Sequence, residues 1–290
     1  MLSYEVKSDK YSTVRELLKN EFMISNRLLV KLKKESRIFV NNKNQYVDYK
    51  LSIGDIVKVD MDFEEKSDNI VPNDKININI VYEDDYLIIL NKDSNTPIHP
   101  SHNHYTDSLS NGLKAYYVKN GIKKKIRPVT RLDKDTSGLV VFAKSEYIQE
   151  CLIKQMKGNS FKKKYIAILT GKLDKEFGII EANIARKNDS IIEREVSTLG
   201  DYAKSEYKVI KYDEKNNITY VEFTLHTGRT HQIRVHSRFI GHPILGDSLY
   251  GQKSNLISRQ ALHAYSISFI HPITHKKLEF KLDLPKDMNI

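Results

Sequence analysis

Thr130–Lys144, TRLDKDTSGLVVFAK, passes from a polar run rich in turn formers into an unbroken apolar run. The apolar run LVVFAK reads as a strand, and Asp135-Thr136-Ser137-Gly138 supplies the turn chemistry ahead of it. Asp133 and Asp135 stand two apart, so an extended backbone would aim both carboxylates to one side, whereas a turn at Lys134 would make them diverge. The composition favours the turn. Asp135 is therefore read as shaping it, and Asp133 as the candidate chemical group, with adjacent Arg131 favouring its charged form. An ionised aspartate is a base or a nucleophile.

Outward from this stretch, short runs of the same kind recur from Ile76 onward: INIVY, YLIILN, KKYIAIL, TYVEFTL, ISFIH and LEFKLDL. Helical candidates are few. They are SLSNGLKAYYVKN, SEYIQECLIKQM and, after its opening residues, HQIRVHSRFI. Many strands with a few interspersed helices argue for an α+β domain on a large mixed, mostly antiparallel sheet.

Residues 12 to 61 read differently, as a small α/β unit of two short helices and a strand pair. Leu17, Leu18 and Phe22 have helical spacing, and Ser25 is placed to cap NRLLVKLKK. In that second helix Arg27, Lys31 and Lys34 share one face, opposite Leu28, Leu29 and Leu32, which gives a basic stripe. DFEEKSDNIVPNDK is polar and broken by Pro72. The expected division is a small domain at 1–62, a linker at 63–75 and a large domain at 76–290.

The 290 residues carry 47 Lys and Arg against 37 Asp and Glu, a formal charge of +10 that favours a polyanionic partner such as nucleic acid. One cysteine, Cys151, rules out an intramolecular disulfide framework and a multi-cysteine zinc site, and its apolar helical setting reads as a packed thiol. The first residues lack a signal-peptide core and no run of roughly 18 apolar residues occurs, so a cytoplasmic protein is expected. GxG pairs, GxxxxGK[ST] and HExxH are all absent, so no nucleotide cofactor is indicated. His226, His231 and His236 recur every five residues, on alternating sides of a strand or about 140° apart on a helix, which disfavours a metal site.

Two further stretches suit RNA. HTGRTHQIRVHSR brings Arg229, Arg234 and Arg238 together with hydrogen-bonding Thr230, His231 and Gln232, and reads as a strand or a strand-to-helix junction. FKKKYIAIL sets Lys162, Lys163 and Lys164 before Tyr165, cations beside a ring able to hold an unstacked base.

With VYEDDYLIILNK, RLDKDTSGLVVFAK, TGRTHQIRVHSRFIGHPILGDSLYG and RQALHAYSISFIHP in order, the chain resembles the RluA-type family of RNA pseudouridine synthases. The first 62 residues resemble the small RNA-binding domain named after ribosomal small-subunit protein four. The resemblance implies isomerisation of uridine in RNA without metal or cofactor, since the reaction involves no redox change and no group transfer. It makes Asp133 the essential catalyst, either attacking the anomeric carbon or removing a neighbouring ribose proton. Tyr165 would stack on the target uracil, Arg229 would pair with Asp133, Arg131 would replace the flipped uridine, and Ile233 would line the uracil pocket. Arg27, Lys31, Lys34, Lys164 and Arg234 are the expected RNA contacts. Large-subunit ribosomal RNA is the expected partner ahead of transfer RNA, for a monomer with no membrane association. A noncatalytic RNA-binding factor of the same fold is the alternative. Thr130 stands where the family often has histidine, and Asp93 where it usually has proline.

Overall fold

The computed structural model describes residues 1–61, 63 and 68–290. Part of the expected linker, residues 64–67, and residue 62 before it lie outside the described residues. The amino-terminal unit runs β1 (Leu2–Glu5), α1 (Val14–Asn20), α2 (Asn26–Lys34), β2 (Ile38–Val40), β3 (Lys43–Asn44) and β4 (Ile56–Val59). Its strands form one four-stranded sheet in the order β1-β4-β2-β3, larger than the strand pair read from sequence. The added strands are β3, two residues that pair with β2, and β1, four residues at the start of the chain that pair antiparallel with β4, a partner more than fifty positions away. Thr13 caps α1 and Ser25 caps α2, each accepting a backbone N–H with its hydroxyl. Leu28, Leu29 and Leu32 are buried, each worth roughly 1.5–3 kcal/mol against exposure.

The large unit continues with β5 (Asn79–Glu83), β6 (Leu87–Lys92), α3 (Leu109–Lys119), β7 (Arg127–Pro128), β8 (Ser137–Ala143), α4 (Glu146–Lys157), β9 (Lys162–Thr170) and β10 (Phe177–Glu181). A hairpin of β11 (Ile184–Arg186) and β12 (Arg194–Val196) precedes β13 (Lys204–Asp213), β14 (Ile218–Leu225), α5 (Gln232–Phe239), β15 (Leu262–Ile270) and β16 (Lys277–Lys281). The main sheet has ten strands, ordered β10-β13-β14-β9-β15-β8-β6-β5, with β16 on β15 and β7 on β8. Among the described residues only β15 and β8 pair in parallel, so the sheet is mixed and mostly antiparallel, as the many short strand runs predict.

That parallel seam sets the reactive turn. All seven residues of β8 are buried. Gly138 adopts φ +115°, and a Cβ there would lie 2.3 Å from the Ala264 carbonyl oxygen, so the two strands approach this closely only with glycine.

The described residues between 68 and 75 lie against the large unit. Lys114 pairs with Asp68 at 2.7 Å, Asp68 also accepts the Ile126 N–H, and Asn111 donates its amide to the Val71 carbonyl. The amino-terminal unit meets helix α4: Ser25 donates to Glu150 at 2.9 Å and Arg27 pairs with Glu146 at 3.2 Å. Among the described residues, no helix is long and apolar enough to cross a membrane.

Candidate active site

Thr130, Arg131, Asp133, Tyr165, Arg229, Ile233 and Arg234 line one cleft of about 970 Å³, at the upper end of the range for small-molecule sites. Three stretches far apart in sequence build it: the turn before β8, the start of β9, and the loop leading into α5.

The turn is held by its own carbonyls. The Thr136 N–H closes it on the Asp133 carbonyl at 3.1 Å, which places the bend at Lys134-Asp135 and separates the two aspartates as the composition predicts. Lys92, with no exposed surface, gives its three protons to the carbonyls of Asp93, Thr96 and Lys134, each at 2.8 Å. Burial draws its pKa down to about 7, against the opposing pull of Asp135 and Asp133. Arg259 donates to the Asp135 carbonyl at 3.1 Å. Thr130 is buried, and its hydroxyl accepts the Val141 N–H at 3.0 Å, so this departure from the family pattern ties the turn to β8. The carbonyl that Asp93 gives to Lys92 is main chain, so proline at this position would supply it equally.

Asp133 projects into the cleft. Its Oδ2 accepts from Arg234 Nη1 at 3.1 Å and lies 3.8 Å from His231 Nε2. Arg234 is buried and bidentate to Asp247, with Nε to Oδ2 at 2.7 Å and Nη2 to Oδ1 at 2.9 Å. Its guanidinium also lies over the Tyr250 ring, 4.9 Å from the centroid. Asp247 is fully buried and additionally accepts the N–H groups of Leu249 and Tyr250. Two carboxylates and an aromatic face thus satisfy one buried cation.

This reverses two expectations. The arginine that pairs with Asp133 is Arg234; Arg229 sits at the rim, donating to the Tyr202 carbonyl at 3.0 Å and pairing with Asp201 at 3.6 Å. Arg234, expected on RNA, is enclosed instead. The reason is local: HQIRVHSR is helical from Gln232, so His231 and Arg234 fall three apart on one face of α5, while Arg229 precedes the helix. The alternation of Ile233 and Val235 imitates a strand, but the helix is embedded and buries both.

Lys164 is also placed elsewhere. Strand period two sends Lys163 and Tyr165 to the cleft and Lys164 to the other face, where it pairs with Glu222 at 2.8 Å. Lys163 lines the cleft, and burial lowers its pKa from the usual lysine value. Tyr165 is buried, and burial with the nearby Asp133 charge raises its hydroxyl pKa. Arg131 is exposed at the cleft mouth, and Ile233 is buried in its wall. On α2, Lys31 lies 3.7 Å from the Phe63 ring centroid and Lys34 is exposed. Cys151 is partly buried in α4, and burial pushes its thiol up, away from nucleophile chemistry.

Sequence reasoning missed Lys92, Asp247 and Tyr250 as parts of the site, and read His231 as an RNA contact where the structure sets it beside Asp133. Strand alternation was enough to prefer Lys163 over Lys164. No local signal announces Asp247, which meets Arg234 only because the segment after α5 folds back.

Residues 86–238 match the RNA pseudouridylate synthase family. RNA pseudouridine synthase YjbO of Bacillus subtilis, itself uncharacterized, is 37% identical over 96% of this chain and 97% of its own length. Ribosomal large subunit pseudouridine synthase D of Neisseria meningitidis is 34% identical over 88% of this chain and 71% of its own. Among solved structures, human RNA pseudouridylate synthase domain containing 1 superposes with a TM-score of 0.60 at 23% identity, over 73% of this chain and 85% of that one, which supports the fold. The chain belongs to the RNA pseudouridine synthases, a family of isomerases.

Proposed function

We infer that the chain converts a uridine of large-subunit ribosomal RNA to pseudouridine, with Asp133 acting on the ribose of a nucleotide flipped into the cleft. The observation that carries this reading is the Asp133 carboxylate in a nucleotide-sized cleft, paired at one oxygen with a buried arginine. Arg234 is shared with Asp247, so its positive charge is already balanced and the Asp133 carboxylate keeps negative charge for chemistry. That carboxylate attacks the anomeric carbon or removes the adjacent ribose proton. Either route cuts the bond from ribose to uracil nitrogen, lets the base turn, and joins carbon five to the ribose; the aspartyl–ribose bond then breaks or the ribose proton returns, carbon five loses its proton, and the freed nitrogen takes one up. Tyr165, buried beside Asp133, packs against the uracil with Ile233. Arg131, exposed at the mouth, fills the place the nucleotide leaves. Flipping costs a few kcal/mol and least where the base is already unpaired, which favours loops and helix ends as targets.

Relatives named as large-subunit synthases support ribosomal RNA as the substrate. The amino-terminal unit, read as an RNA-binding domain, extends the grip, and the enzyme acts as a cytoplasmic monomer. Tritium release from RNA carrying carbon-five-labelled uridine tests the reaction. Asp133→Asn is expected to abolish release while RNA affinity stays within about twofold, because one neutral amide replaces a carboxylate without changing shape. Turnover by that variant would refute the assignment. Ribosomal and transfer RNA tested side by side decide between the substrates.

A further inference from the structure

The Asp133 carboxylate is held on one side. Arg234 and His231 both address Oδ2, and among the described residues Oδ1 receives no hydrogen bond. Behind His231 stands Tyr250, whose hydroxyl lies 2.8 Å from His231 Nδ1, with the two rings edge to face at 5.6 Å. The same hydroxyl oxygen accepts the Arg194 backbone N–H at 2.8 Å.

This arrangement fixes a tautomer. Tyr250 is buried, and its hydroxyl proton has one acceptor in reach, His231 Nδ1; were Nδ1 to carry the proton, the hydroxyl hydrogen would be buried without a partner. The ring proton then sits on Nε2, facing Asp133. The backbone supports the same aim. His231 adopts φ +57° and ψ +21°, a left-handed conformation uncommon outside glycine, immediately before the first residue of α5. That turn directs the imidazole back to the cleft while α5 carries Arg234 to the same carboxylate oxygen.

We propose that His231, its tautomer set by Tyr250, is a positioning residue that orients the Asp133 carboxylate so that Oδ1 alone meets the ribose. The proposal rests on Asp133 acting on ribose, as inferred above. Charge accounting favours a neutral donor in this role. Burial lowers the pKa of His231, as do Arg234 and Arg194, while Asp133 and Asp247 raise it. A neutral N–H steers the carboxylate without adding a second full positive charge, which would weaken it as a base or nucleophile. The Nε2 to Oδ2 distance of 3.8 Å leaves room for tightening when substrate fills the cleft.

Two measurements on the full-length protein test this. Long-range nitrogen-15 spectra of histidine-labelled protein, without RNA, report the tautomer: the Nε2-protonated form is expected for His231 at neutral pH, and loss of that preference in Tyr250→Phe. An Nδ1-protonated His231 would overturn the proposal whether or not any RNA is turned over. Kinetics then test the role. His231→Ala is expected to lower kcat about 10–100-fold with KM unchanged. His231→Gln, whose amide can still donate to Asp133, should recover most of that loss, and Tyr250→Phe should fall between. A folded His231→Ala with wild-type kcat, or a Gln variant no better than Ala, would overturn the positioning role. Absence of turnover by the wild-type protein on any RNA would instead remove the functional reading, leaving the tautomer result to stand alone.

Discussion

Arg234 meets carboxylates at 2.7 and 3.1 Å with 8% of its side chain exposed, whereas Arg27 on α2 meets Glu146 at 3.2 Å with 86% exposed. Both are arginines paired with acids, and they do different physical work. In the cleft the attraction acts where water is excluded, so geometry is enforced and removal leaves a buried charge alone. On α2 the pair is screened by solvent and adds little to stability. The cleft uses its cation to orient a carboxylate, whereas the pair on α2 orients no group in the cleft.

The sharpest attempt to break this contrast is Arg234→Met. It strands Asp247, which has no exposed surface, and releases Asp133, so a loss of about 3–5 kcal/mol in stability is expected, together with loss of turnover. Chemical denaturation and tritium release measure the two. Arg229→Met, at the rim, is expected to leave stability within about 0.5 kcal/mol. Equal destabilisation by both would contradict the assignment of Arg234 as the enclosed partner.

Much of this was legible in sequence, and the failures are instructive. LVVFA falls in β8, with the turn just ahead of it at Lys134-Asp135 and Ser137-Gly138 opening the strand, because turn chemistry and apolar runs are local signals. Asp133, Tyr165, Arg229 and Ile233 were all placed in one cleft by reading motifs in order. The pairing of Asp133 was not legible, because choosing between Arg229 and Arg234 requires knowing where α5 begins, and a left-handed residue at His231 decides that. Lys164 is expected on RNA, although strand periodicity sends Lys163, not Lys164, to the side of Tyr165. The buried tethers Lys92 and Asp247 reach the site through contacts 42 and 13 positions away, to the Lys134 carbonyl and to Arg234, which no pattern along the chain encodes.

Acid gives the next test. His263, on the β15 side of the parallel seam, is buried with Nδ1 2.8 Å from the Ser137 hydroxyl, and burial, reinforced by Arg259, lowers its pKa to about 4. The unfolded chain binds this proton below about 6.5 and the folded chain only below about 4. Stability therefore falls as pH drops through that window, by about 3 kcal/mol from this group. Denaturation at pH 7 and pH 4.5 should show the loss in the wild-type chain and a smaller one in His263→Asn, which does not titrate. An identical acid loss in both would separate the seam from the effect.

A smaller effect distinguishes neighbours on β9. Lys163 faces the cleft and no carboxylate pairs with it among the described residues, whereas Lys164 is matched by Glu222 on the opposite face. Loss of one charge-assisted contact to RNA predicts about tenfold weaker kcat/KM for Lys163→Met. Lys164→Met should stay within about twofold. The reverse order would place the RNA path on the other face of the sheet.

The smallest expected effect concerns the stripe of Arg27, Lys31 and Lys34, which the structure divides. Arg27 is engaged with Glu146 of α4 and Lys31 with the Phe63 ring, so Lys34 is the stripe residue that is exposed and has no acid or ring partner among the described residues. Each cation that neutralises a phosphate contributes roughly one unit to the slope of log affinity against log salt. Lys34→Ala is thus expected to weaken RNA binding a few-fold at low salt and to flatten that slope by about one. Arg27→Ala should leave the slope nearly unchanged, because its charge already answers an acid within the chain. Binding titrations at several salt concentrations decide it: equal slope changes for Arg27 and Lys34 would mean that the ion pair to α4 opens when RNA arrives, and that the amino-terminal unit moves relative to the cleft during binding.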